Sequence, residues 1–136
     1  MLAEDAVYRA VTHDIEVSVE PQFVSERSSP ENGYYFWAYT INIVNHGTTT
    51  VQLKTRYWLI TDANGKRQEV RGPGVVGEEP VLKPGESFEY TSGVPLPTPS
   101  GFMQGHYGMV TADDERFDVT VPAFSLDYSG AGRTIN

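Results

Sequence analysis

No cysteine occurs in the 136 residues, which closes off thiol catalysis, thiolate metal sites and disulfide switching together. It leaves the compartment open, because secreted domains can also lack cysteine. No apolar run approaches the roughly eighteen residues that a spanning helix needs, so a transporter is excluded as a direct function. The start, Met1-Leu2-Ala3-Glu4-Asp5, is acidic where a signal peptide is basic, and a soluble cytoplasmic protein is expected. Positive charge is scarce: 10 Lys and Arg face 18 Asp and Glu, for a formal charge of -8. Nucleic-acid backbone and anionic membrane need a concentrated basic field, so neither is an expected partner. The one local cluster of cations is Lys54, Arg56, Lys66, Arg67 and Arg71, charges of a kind that hairpin strands carry on a solvated face. Convincing helices are missing as well. One domain of this length buries a core without disulfides or a structural metal, with residues 1–11 and 128–136 expected as loosely held ends.

What the chain does contain is strand pattern. His13 to Val24 alternates, with Ile15, Val17, Val19 and Phe23 on one face, the mark of a half-buried strand; Pro21 suits an edge or a bulge. Tyr34 to Asn45 carries Tyr35, Trp37, Tyr39, Ile41 and Ile43 on one face and Tyr34, Phe36, Ala38 and Val44 on the other, which predicts a central strand or one with a covered outer face. Val51 to Thr61 follows, and Asp62-Ala63-Asn64-Gly65 is a hairpin signal leading to a returning strand, Lys66 to Arg71. Ser87 to Ser92 is a short strand; Gly93 to Gly101, with Pro95, Pro97 and Pro99, reads as a stiff polyproline-like connector. Phe102 to Ala112 and Arg116 to Leu126 complete the set, the last with Phe117, Val119, Val121 and Ala123 inward and Pro122 at an edge or bulge. About seven or eight short strands with turns between them predict an antiparallel β-sandwich.

Between two of these strands lies Val70 to Gly93, with five glycines and three prolines. Glycine admits positive φ and proline fixes φ and removes a donor, so this is an ordered loop, and long ordered loops in small domains tend to be functional. Gly72-Pro73-Gly74-Val75-Val76-Gly77 also spells G-x-G-x-x-G. In a dinucleotide fold that pattern opens a helix whose N-terminus receives phosphate. Here Glu78-Glu79-Pro80 follows, which forbids the helix and sets negative charge where the phosphate belongs. Val75 and Val76 either plug the end of the sandwich or face a partner, and Trp58 and the Tyr34/Phe36 pair raise the same choice.

Other constellations carry little chemistry. His13, His46 and His106 stand on separate strands or turns with no ligand spacing between them. Glu78-Glu79 and Asp113-Asp114-Glu115 are adjacent carboxylates, not a pair held across a cleft. Ser92, His106 and an aspartate lack the strand-to-helix turn that a serine nucleophile needs. No catalytic, cofactor or metal residues are expected.

The motifs Tyr57-Trp58-Leu59-Ile60-Thr61-Asp62-Ala63-Asn64-Gly65, Val70 to Gly77 with Pro80, Leu82-Lys83-Pro84-Gly85-Glu86 and Phe88 to Gly93 resemble the ApaG family. Gly101-Phe102-Met103-Gln104-Gly105 and Pro122-Ala123-Phe124-Ser125-Leu126 extend that resemblance over nearly the whole chain, residues 1–136. One departure is Pro73, where the family is expected to carry an acidic residue. The resemblance implies an immunoglobulin or fibronectin type III-like sandwich, a link with cobalt and magnesium resistance, a genetic neighbourhood with diadenosine tetraphosphate hydrolase and, from the copies in eukaryotic F-box and polymerase-interacting proteins, protein binding. The expected function is therefore a non-enzymatic module, monomer or weak homodimer, that meets an unidentified protein through Arg71, Gly72, Gly74, Val75, Val76, Gly77 and Glu78. The competing reading is a small-ligand protein for diadenosine polyphosphate or a divalent cation.

Overall fold

The computed structural model describes residues 7–129. Two-residue alternation sends every second side chain of a strand to one face, and here two sheets bring those faces together. Nine strands form: β1 (Tyr8–Thr12), β2 (Ile15–Phe23), β3 (Tyr35–Asn45), β4 (Val51–Asp62), β5 (Arg67–Pro73), β6 (Val81–Leu82), β7 (Ser87–Leu96), β8 (Ser100–Thr111) and β9 (Arg116–Asp127). The first sheet has the order β1-β2-β3-β7; the second has β5-β4-β8-β9, with β6 also pairing β4. Every pairing is antiparallel. The all-β sandwich predicted from the sequence is the observed fold.

The core lies between the sheets. Tyr39 of the first sheet meets Trp58 of the second edge-to-face at 5.4 Å, and Phe124 packs on both rings. Trp58 is thus a core residue, while its neighbour Tyr57 faces outward. The Phe36 ring, on the outer face of β3, is covered by the Arg27 guanidinium at 4.1 Å. Two phenols bridge the sheets: the Tyr90 and Tyr107 hydroxyls stand 2.6 Å apart. Burial pushes the phenols of Tyr39, Tyr90 and Tyr107 above the ordinary tyrosine range. A group whose folded pKa is raised stabilises the fold fully below its unfolded pKa, about 10 for tyrosine, and that contribution is lost as pH rises toward the folded value. Spectrophotometric titration is therefore expected to show three of the eight tyrosines ionising only as the protein unfolds, above about pH 10.

The two long sides of the sandwich differ. On one, β9 and β1 are stitched across the sheets: Thr120 N–H donates to Thr12 Oγ1 at 3.2 Å and Ser125 N–H to the Tyr8 hydroxyl at 3.4 Å. On the other, the terminal strands β5 and β7 leave a cleft between them.

Several expectations need correction. Residues 8–11 are not a loose end but most of β1, whose register pairs Tyr8 with Val19 and Thr12 with Ile15. Tyr128 is held too, packed on Phe23 and Tyr35; of the expected loose ends, residues 1–6 and 130–136 fall outside the described residues. His13 and Asp14 are the turn before β2, both at positive φ. The expected connector after Gly93 is strand as far as Leu96; β7 is terminal, where Pro95 has one neighbour to satisfy. Pro122 does sit in a bulge on terminal β9, where register shifts between Met103 and Gly105. That extra residue reverses the parity after it, so Ala123 faces out and Phe124 and Leu126 face in.

Candidate functional site

The glycine- and proline-rich segment folds back along β4 and is sewn to it. Beyond β5, Val75 N–H donates to the Glu78 carbonyl and Glu78 N–H to the Val75 carbonyl, each at 2.8 Å. Val76 and Gly77 are therefore the two central residues of a minimal hairpin, at φ 42° and 82°. Two positive φ values at these positions are the signature of a type I′ turn, which favours Asn-Gly. A β-branched residue there is a true outlier.

β4 supplies the anchors. The Arg56 guanidinium lies against Gly72, where a Cβ would meet it at 3.0 Å, and its Nη1 donates to the carbonyls of Pro73 at 2.9 Å and Gly74 at 3.0 Å. Lys54, the extra residue where the β4–β8 register shifts, accepts from Gly74 N–H at its carbonyl and ion-pairs with Glu79 at 3.0 Å. Gln52 Nε2 reaches the Glu79 carbonyl at 3.0 Å. Gly74 itself has φ 60°, and a Cβ on it would stand 2.3 Å from the Glu78 carbonyl oxygen.

The expected site residues separate accordingly. Val75 is fully buried in the core and is a plug; Val76 is 54% exposed and is offered to solvent. Gly72, Gly74 and Gly77 shape the loop, and the Glu78 side chain is exposed. Arg71 is elsewhere: its guanidinium lies 4.6 Å above the Tyr57 ring on the outer face of the second sheet, where Tyr57 stacks on His106 at 5.0 Å. The cation cluster accordingly divides into separate tasks, with Arg56 on the loop, Lys54 on Glu79 and Arg71 on Tyr57. The phosphate reading fares poorly, since the amides of Gly74, Val75 and Glu78 donate within the protein and Pro73 has none.

Beneath the loop, in the gap between β5 and β7, lies a cleft of about 370 Å³. Trp58, Ile60, Val94 and Met103 form apolar walls; Tyr39, Tyr90, Ser92 and Arg56 bring polar groups. The sequence reading missed Arg56 as an anchor and the cleft altogether. The only hint of either was parity: two-residue alternation puts Arg56 on the same face of β4 as Trp58 and Ile60. A larger hollow of about 610 Å³ at another part of the sandwich is lined by His13, Asp14, Glu115, Arg116 and Phe117 among others. Among the described residues no three or more His, Asp or Glu stand close enough together to hold a metal ion, and no helix is long and apolar enough to cross a membrane.

The family model described as the ApaG domain matches residues 25–111. Protein ApaG of Afipia carboxidovorans is 64% identical over 96% of this chain and all of its own length, and Protein ApaG of Rhodopseudomonas palustris is 63% identical over the same shares. A crystal structure from Bordetella pertussis, described as an ApaA protein, superposes with a TM-score of 0.83 at 47% identity, covering 88% of this chain and 97% of that one.

Proposed function

The chain belongs to the ApaG family, and on that premise we propose that it is a non-enzymatic cytoplasmic module that binds another protein through the hairpin that follows β5, Gly74 to Glu79, with Val76 as the contact. The observation that carries this reading is Val76 itself. A β-branched side chain at φ 42° costs about 1–3 kcal/mol, and an asparagine before Gly77 would fill the same turn with less strain. Strain of that kind persists where the rest of the structure imposes it, characteristically at contact sites. The side chain is exposed on a hairpin whose base is fixed by Arg56, Lys54 and the buried Val75. Such a tip is preorganised, and little ordering entropy opposes its docking. On this reading the family link with cobalt and magnesium resistance runs through the partner.

Val76→Asn is expected to raise the unfolding free energy by about 1 kcal/mol in chemical denaturation while losing the partner recovered with the unaltered protein. Val76→Asp is expected to lose the same partner with the fold intact. Retention of every recovered partner by both variants would remove the loop tip as the interface. For the competing reading, calorimetric titration with diadenosine polyphosphate, magnesium and cobalt is expected to give no saturable heat.

A further inference from the structure

The cleft under the loop differs in charge from the molecule around it. The chain carries a formal charge of -8, yet no residue lining this cleft is acidic and one, Arg56, is cationic. Hydrogen-bond donors are in surplus there. Tyr90 borders the cleft and Tyr107 lies buried behind it, their hydroxyls 2.6 Å apart; with Tyr107 donating to Tyr90, the Tyr90 proton is left for the cleft. The Tyr39 hydroxyl lies by Ser92 in the same space. The Arg56 Nη1 serves the Pro73 and Gly74 carbonyls, which leaves Nη2 and Nε as further donors. Burial dominates the environment of these phenols, and the Arg56 charge acts on them in the opposite sense, so guanidinium and phenols share one electrostatic space.

We infer that the cleft binds a single carboxylate group borne on an apolar body, the carboxylate accepting from Arg56 and the Tyr39 and Tyr90 hydroxyls and the body lying against Trp58, Ile60 and Met103. One guanidinium matches one planar carboxylate. A polyphosphate would bring charges that nothing in a half-buried, singly cationic cleft compensates. The volume, about 370 Å³, is at the lower end of the range for ligand sites. A carboxylate of this kind comes from a free small acid or from the C-terminal residue of a polypeptide, and the chemistry read by the cleft is the same. Val75, Val76 and Gly77 of the loop border this cleft as well, and the two readings are separated by their readouts: partner recovery is scored on Val76 variants and acid binding on Tyr39 and Gln68 variants, so either can fail alone.

The test is calorimetric titration of the full chain with 3-phenylpropanoate and, as its uncharged counterpart, 3-phenylpropanamide. A short peptide ending in a free phenylalanine carboxylate and its C-terminal amide form the second pair; inorganic pyrophosphate is the third arm. The acid is expected to bind saturably and the amide about tenfold more weakly, the size of one hydrogen bond to a charged group. Tyr39→Phe, which keeps the ring, is expected to weaken the acid about tenfold. Gln68→Glu, a change at the exposed mouth, is expected to weaken the acid and not the amide. Binding of the small acid assigns the source to a free metabolite; binding of the peptide acid alone assigns it to a polypeptide terminus. Equal binding of acid and amide, binding of neither acid, tighter binding of pyrophosphate, or an affinity unmoved by Gln68→Glu would each overturn the assignment.

Discussion

Alanine at position 74 is expected to destabilise the protein by about 3 kcal/mol, although it adds one methyl group. Gly74 sits at φ 60°, and the new Cβ would lie 2.3 Å from the Glu78 carbonyl oxygen and 3.3 Å from Glu79 Cγ. The first obstacle is backbone and cannot rotate away. Relief requires the hairpin to open, which breaks the paired bonds between Val75 and Glu78 and draws Val75, fully buried, out of the core, worth about 1.5–3 kcal/mol for its side chain. Gly77→Ala separates this from φ alone. Gly77 has φ 82° but nothing within 4 Å of a Cβ, so its replacement is expected to cost about 1 kcal/mol. Urea denaturation of the two variants measures the difference, and equal costs would show that the loop is not packed as described.

The largest effect is expected from Gly105→Ala, about 4 kcal/mol. Gly105 pairs with Trp58 between the two long strands β4 and β8. A Cβ there would stand 2.0 Å from the Tyr57 carbonyl oxygen and 3.1 Å from Trp58 Cε3. The strands would have to part or the Trp58 ring would have to move, and Trp58 contacts Tyr39, Tyr107 and Phe124. Packing at interior density transmits such a shift. Thermal or urea unfolding checks it; a cost below that of Gly77→Ala would contradict the close approach.

Much of this architecture was legible because it is local. The alternation of Ile15, Val17 and Val19, the two-faced apolar run from Tyr35 to Ile43 and the Asp62–Gly65 turn each encode their own conformation within a few residues. The hairpin turn is bonded as its composition demands, with Asp62 Oδ1 accepting from the amides of Asn64 and Lys66. What escaped the sequence depends on distant partners. β1 is five residues of unremarkable pattern, ordered by pairing with β2 and by side-chain bonds to β9. The outward turn of Ala123 follows from a bulge whose single extra residue is visible only in the register. Val75 and Val76 are chemically identical neighbours, and the turn geometry alone sends one inward and one outward. The anchoring role of Arg56 requires two loop carbonyls, 17 and 18 residues further along the chain, to converge on its guanidinium.

The most direct measurement of the central claim is site-specific photocrosslinking in living bacteria. A photoreactive residue replaces Val76 at the hairpin tip, and a matched one replaces Gln104, a half-buried position on β8. A discrete adduct to another protein from position 76, none from position 104, and loss of the adduct when Gly74→Ala opens the loop are the expected results. No adduct from position 76, or the same adducts from both positions, would contradict the account.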